Sequence, residues 1–136
     1  MVAIPATARR ISPLPGAILR PYDLGGPAKI GDSVYMAADG DVEQTSGGAA
    51  GTKKSIGVIT AIGTEGALTG VAGDRVSVVR YGPVAGYTGI TPGAPAYVSD
   101  TAGELADAAG TNSFVVGTGD ADDAGRPIVF VNPPVA

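Results

Sequence analysis

The sequence predicts an all-β fold, and three observations lead to that prediction. The chain has 136 residues, enough for one domain, and 22 of them are Gly and 11 are Pro. These two residue types recur every few positions, so no stretch keeps a helical period for long. Between them lie short runs rich in β-branched and aromatic residues, which favour strands. We therefore expect a small β-barrel or β-sandwich of seven to eight short strands.

Each predicted strand is a short apolar run that ends at turn residues. The run GELADAAG (103–110) is the best candidate for a helix, but we interpret it as strand and turn, because a similar stretch occurs earlier in the chain. The run RVSVVRY (75–81) has no cleanly polar face, which suits a wall that also contacts a neighbour. The seven predicted strands span 33–38, 41–45, 54–62, 75–81, 94–100, 113–119 and 126–132.

An internal repeat links GDSVYMAADGDVEQ (31–44) with GAPAYVSDTAGELADA (93–108). The repeat continues with SIGV (55–58) against SFVV (113–116) and with an Arg-led strand in each copy. A four-strand unit cannot bury its apolar face alone, so we expect two similar halves to close one barrel. Chance recurrence of a common hairpin pattern is the alternative. The matched residues are Gly31, Tyr35, Gly40, Asp41 and Val42 in the first copy and Gly93, Tyr97, Gly103, Glu104 and Leu105 in the second.

Residues 1–27 differ in kind from residues 28–136, which form the predicted β-barrel domain. Five Pro residues fix φ and remove backbone donors, so this segment is predicted to be neither a central strand nor a helix. We expect an extended N-terminal arm, partly of polyproline type. A disordered tail is the alternative, but the segment is more apolar than a solvating tail requires, which favours an arm that lies on a partner. Deleting residues 1–22 should then leave the barrel folded and weaken partner binding.

The composition also restricts the chemistry. Cys and His are absent, which excludes disulfides, thiolate nucleophiles and imidazole bases or ligands. Residues 1–22 carry three Arg and no acidic residue, whereas the remainder carries six Lys or Arg and thirteen Asp or Glu. The acidic body argues against nucleic acid as a partner. The basic head suits attachment to an acidic surface, with solvated arginines as the alternative. No run of eighteen apolar residues and no signal peptide is present, so we expect no membrane span and no export.

Three stretches invite a functional interpretation. The loop GDADDAG (119–125) could offer Asp120, Asp122 and Asp123 to a cation, but it lacks the spacing of a calcium loop and is better interpreted as a solvated turn. Asp39 and Asp41 flank Gly40 and are interpreted as turn formers. The stretch GGAAGTKKS (47–55) lacks the spacing of a phosphate-binding loop and is interpreted as a hairpin tip. No cofactor is expected.

The order of these parts resembles the small capsid decoration, or cement, proteins of tailed bacteriophages. The resemblance is carried by the Pro-rich start, then AKIGDSVYMAADGDVEQ and SIGVIT, then GAPAYVSDTAGELADA and FVVGTGDADDAGRPIVFV. It covers residues 28–136, and residues 1–27 only in character. Such proteins are β-barrels or β-sandwiches that bind the outer surface of the phage head and clamp major capsid protein subunits together.

The resemblance implies a virion protein that is made in the host cytoplasm and binds the major capsid protein. The small Ala and Val side chains and the apolar residues on both faces of RVSVVRY predict a homo-oligomer, and the resemblance favours a trimer at local threefold positions. It implies no enzymatic activity, nucleic acid or membrane. A carrier or ligand-binding β-barrel module is the alternative function, although the lysines at 53 and 54 do not match the setting of a modified carrier lysine. The residues expected to contact the capsid are Arg9, Arg10, Ile11, Leu14, Ile18, Leu19, Arg20 and Tyr22.

Overall fold

The computed structural model describes residues 3–46, 54–63, 67–112 and 114–133, and it confirms the all-β prediction. All seven predicted strand regions contain a strand. Within the described residues there are thirteen strands rather than seven or eight, because the N-terminal segment and the connections add short ones. The strands are β1 Ala3–Ile4, β2 Ser12–Pro13, β3 Ile18–Asp23, β4 Ala28–Lys29, β5 Ser33–Met36, β6 Val42–Gln44, β7 Gly57–Ile62, β8 Thr69–Gly70, β9 Arg75–Ala85, β10 Pro95–Val98, β11 Leu105–Ala106, β12 Val115–Ala121 and β13 Pro127–Val131.

Eleven of these strands form one curled, half-barrel sheet. Its order is β1-β11-β10-β12-β13-β9-β7-β5-β6, with β2 and β3 also paired to β9. All the strand pairs are antiparallel, and β4 and β8 form a separate two-stranded ribbon. No helix in the described ranges is long and apolar enough to cross a lipid bilayer.

The order of the sheet contains the two similar halves that the repeat predicted. From the outside inwards, the first half reads β6-β5-β7-β9 and the second reads β11-β10-β12-β13, and the halves join where β9 pairs with β13. The turn glycines of the repeat also correspond. Gly31 and Gly93 have φ of 92° and 86°, and Gly40 and Gly103 have φ of 91° and 78°, a region that strongly favours glycine.

One part of the predicted repeat alignment is out of register by two residues. Val34 of β5 pairs with Gly57, and the equivalent Ala96 of β10 pairs with Gly117. Residues 57–58 therefore correspond to 117–118, whereas the prediction matched 55–58 with 113–116. The alignment followed a shared Ser and apolar residues, but the two strands are matched in space at their glycines.

Small β-branched side chains build the core, with β9 running through its centre. This strand bends at Gly82, whose φ is 118°, so that its beginning pairs with β3 and β7 and its end with β2 and β13. A Cβ at Gly82 would lie 2.6 Å from the Cα of Ala17, which requires glycine there. The largest fully buried side chains are Leu24, Ile59, Leu105, Val34, Val42, Val58, Val76, Val78, Val79, Val84, Val98 and Val116.

The N-terminal segment lies on the body of its own chain. Strand β1 pairs with β11, β2 with the end of β9 and β3 with its beginning. One 3₁₀ turn, Ala8–Arg10, interrupts the segment, although its Pro content predicted no helix. Residues on both sides of the predicted boundary at 27 therefore share one sheet, which differs from an arm that reaches away from the barrel.

The physical reason is that the segment supplies side chains that the body needs. Ile4 and Ile11 are buried in the common core, so part of the apolar character that suggested a partner serves the chain itself. The prolines do not prevent this pairing. Pro13 and Pro21 lie in short strands at the margins of the sheet, where a missing backbone donor is tolerated.

Candidate functional site

An exposed apolar patch lies where β3 meets β9. Ile18 pairs with Tyr81, and their side chains are 58% and 45% exposed, while Leu19 is 41% exposed. The ring of Tyr81 stands edge-on to that of Phe130 with centroids 5.1 Å apart, which extends the surface onto β13. We call Ile18, Leu19, Tyr81 and Phe130 the apolar patch. Contiguous apolar surface of this kind typically marks an interaction site.

A groove of about 380 Å³ continues this surface beyond Phe130. Its apolar wall comes from the N-terminal segment, the end of β9 and β13, and Leu14 is held there because its N–H donates to the carbonyl of Pro83 at 3.0 Å. Its polar wall is the turn between β12 and β13. The lining residues are Leu14, Pro15, Pro83, Ile128 and Phe130 on one side and Asp120, Ala121, Asp122, Asp123, Ala124 and Arg126 on the other.

Two arginines lie beside the patch around Tyr22. The guanidinium of Arg20 lies 6.0 Å from the ring centroid of Tyr22, and Arg80 Nη1 donates to the Tyr22 hydroxyl at 3.0 Å. Neither arginine forms an ion pair with a carboxylate of the described residues, whereas the neighbouring Arg75 is paired with Asp23 at 3.0 Å. A partner surface at this position would therefore meet apolar side chains and positive charge together.

The structure divides the eight predicted contact residues into exposed, half-buried and buried ones. Ile18, Leu19 and Arg20 lie together on β3 and are exposed, and Arg9 and Arg10 are exposed in the 3₁₀ turn. Leu14 and Tyr22 are half-buried. Ile11 is buried in the core, so its side chain supports the fold and is not accessible to a partner. Sequence reasoning missed Tyr81 and Phe130, which join the patch only through the pairing of distant strands.

The acidic loop at 119–125 is organised around one aspartate. The Asp122 carboxylate accepts hydrogen bonds from the N–H groups of Ala124 and Arg126 and from Arg126 Nε at 2.8 Å. These interactions, led by the backbone hydrogen bond from Arg126, lower the pKa of Asp122. The Asp122 carboxylate thus forms its hydrogen bonds within its own turn. No three acidic side chains of the described residues are grouped closely enough to hold a metal ion.

The other two stretches do not form a site in the described residues. The carboxylate of Asp39 accepts the backbone N–H of Asp41 at 3.0 Å, an arrangement typical of a turn former. Residues 47–53 of the Gly-rich stretch lie outside the described residues. Lys54, at the end of that stretch, is exposed.

A buried carboxylate joins the two halves. Asp32 Oδ2 accepts hydrogen bonds from the Lys29 N–H at 2.9 Å and from Gln44 Nε2 at 2.6 Å, and Lys29 Nζ lies 3.6 Å from Oδ1. A Cβ at Gly103 of the other half would lie 2.6 Å from Asp32 Cγ, so the carboxylate fits against this glycine turn. Burial raises the pKa of Asp32 despite these partners.

A cavity of about 230 Å³ lies beside this carboxylate, and Tyr87 also lines it. The Tyr87 hydroxyl donates to the carbonyl of Gly31 at 2.7 Å, and burial raises the pKa of this phenol. Sequence reasoning missed this arrangement, because Asp32 lies in an IGDS stretch that resembles an ordinary turn. The described partners explain both polar groups as structural.

Comparison of the chain with protein-family models, with curated proteins and with solved structures returned no match.

Proposed function

We propose that the protein is a structural virion protein that binds the outer surface of a phage head and clamps neighbouring major capsid protein subunits. The exposed apolar patch carries this proposal, together with Arg20 and Arg80 beside it, which form no ion pair among the described residues. The folded chain gains little from leaving Ile18, Leu19 and Tyr81 in water, but it gains by burying them against another protein. The resemblance to decoration proteins supplies the kind of partner.

The same proposal includes a homo-oligomer, with a trimer as the leading form. Three copies of the patch on one trimer would engage several capsid subunits at once. Linking the three binding sites in this way can raise avidity by a factor of about 10² to 10⁴ without a strong single contact. A non-enzymatic role is part of this proposal. Sedimentation equilibrium of the purified protein is expected to give a trimer, and a monomer at high concentration would contradict this part.

Co-sedimentation with expanded heads of its own phage tests the binding. Ile18→Lys places a charge in the patch and is expected to reduce binding at least tenfold. Val71→Lys is the matched control, because Val71 is 64% exposed and lies in the turn before β9, at the opposite end of the β3–β9 pair. Equal binding by both variants, or no binding by the native protein, would overturn the proposal.

A further inference from the structure

The two halves differ in the covering of one strand edge. In the second half, β13 pairs with the end of β9, and the other edge of that part of β9 is covered by β2. In the first half, the beginning of β9 pairs with β3. Within the described residues no strand covers the other edge of β3. The edge of β3 is therefore the open counterpart of an edge that the chain covers elsewhere.

The registers make the correspondence specific. Arg20 of β3 pairs with Val78 of β9, and Val84 of β9 pairs with Val129 of β13. Val78 and Val129 hold equivalent places in the two halves, so Arg20 corresponds to Val84. By the same reasoning Leu19 corresponds to Pro83. The Pro83 carbonyl accepts the N–H of Leu14, so the carbonyl of Leu19 faces the open edge. Pro21, two residues on, has its missing N–H on this same side, as expected for a proline in an edge strand.

The side chains beside this edge define what would fit. Because neighbours in a strand point to opposite faces, Leu19 and Arg20 lie on opposite faces of β3, and Arg20 shares its face with Tyr22, whose hydroxyl accepts a hydrogen bond from Arg80. A strand added to β3 would place alternate residues on these two faces. Apolar residues would contact Leu19, and acidic residues would meet the two arginines.

We propose that the open edge of β3 accepts an extended segment of a different protein, antiparallel to β3, in which apolar and acidic residues alternate. The antiparallel direction follows from β2 on the equivalent edge. Two registers of a second copy of β3 are disfavoured, and in the first of them a pair centred on Arg20 opposes two guanidinium groups. A pair centred on Pro21 opposes two residues without a backbone donor. The inference rests on the proposed function only for the identity of the partner.

A labelled peptide of alternating Val and Glu tests the proposal by fluorescence anisotropy with the full-length protein. In the proposed register the Val N–H groups face β3 and the Glu N–H groups face solvent. Methylation of the Val nitrogens is therefore expected to weaken binding at least tenfold, and methylation of the Glu nitrogens is expected to leave it unchanged. A peptide with Lys in place of Glu is expected to bind at least tenfold more weakly. Equal binding by the two methylated peptides, or no binding by the parent peptide at millimolar concentration, would overturn the proposal.

Variants of the protein locate the site. Arg20→Glu is expected to weaken binding of the Val-Glu peptide at least tenfold, and Arg9→Glu, on an exposed residue of the 3₁₀ turn, is the matched control with unchanged binding. The native protein could instead self-associate through β3, and the peptide would then disrupt that association. In that case the occupant of the open edge is a second copy, and the proposal of a different protein is wrong.

This test separates the inference from the proposed function. Peptide binding with the expected selectivity, together with no binding to phage heads, would retain the open edge and remove the capsid as partner. Binding to heads without selectivity between the two methylated peptides would retain the proposed function and remove strand addition.

Discussion

Two glycines at equivalent positions of the two halves provide a quantitative prediction. A Cβ added to Gly57 of β7 would lie 2.0 Å from the carbonyl oxygen of Val79, and a Cβ added to Gly117 of β12 would lie 2.0 Å from that of Phe130. Val79 and Phe130 also hold equivalent places in β9 and β13. Each half therefore contains the same close approach of two backbones, and alanine should be costly in both. Gly57 also has a φ of 155°, so alanine at that position meets additional backbone strain.

The expected cost follows from the displacement that alanine demands. Carbon needs about 3.5 Å from its neighbours, so the strands must separate by more than 1 Å. Such a shift takes a hydrogen bond of about 2.9 Å beyond its useful range. Losing two such bonds at about 1 kcal/mol each, with about 1–3 kcal/mol of overpacking, predicts about 3–5 kcal/mol for Gly57→Ala and for Gly117→Ala.

Urea unfolding followed by circular dichroism measures the effect. Gly26→Ala is the control, because its Cβ would meet only a Glu43 carboxylate oxygen at 3.6 Å, an ordinary contact, and its φ is not positive. We expect that control to remain within about 0.5 kcal/mol of the native protein. A cost below 1 kcal/mol for either test variant would refute the close approach, and a lower cost for Gly57→Ala than for Gly117→Ala would refute the equivalence of the halves.

Three further predictions concern the buried groups and the N-terminal segment. Burial raises the pKa of Asp32, so its proton favours the folded state most below pH 3.8, and this contribution is lost as the pH rises through the raised pKa. Asp32→Asn should therefore gain stability relative to the native protein between pH 3.8 and 7 in urea unfolding, and parallel pH profiles would contradict this. Tyr87→Phe leaves the Gly31 carbonyl without its donor and should cost about 1–3 kcal/mol in thermal unfolding, so an unchanged midpoint would contradict that hydrogen bond. Deleting residues 1–13 removes two buried Ile side chains and should lower the unfolding free energy by about 3–6 kcal/mol, and an unchanged value would favour the independent arm expected from the sequence.

Local signals explain the parts of the fold that the sequence predicts well. The turn glycines Gly31, Gly40, Gly93 and Gly103 need a left-handed backbone, and this need is visible in the sequence as a repeat. Strand class follows from the runs of Val and Ile between such turns. The duplicated topology could be predicted because each copy carries the same order of local signals.

Other features depend on pairings between distant residues, which local signals do not reveal. The burial of Ile4 and Ile11 depends on which sheet edges are open for the N-terminal segment, and an apolar residue in a Pro-rich segment looks the same whether it serves the core or a partner. The patch was predicted only in its β3 part. Tyr81 and Phe130 come together because β9 bends at Gly82 and pairs with β13.

Electron cryo-microscopy of phage heads carrying the protein would show whether the apolar patch binds capsid subunits. We expect Ile18, Leu19 and Tyr81 to be buried against major capsid protein at the joints between subunits on the outer surface, while Val71 faces solvent. Density that leaves Ile18, Leu19 and Tyr81 in solvent, or heads that carry no copy of the protein, would contradict this expectation.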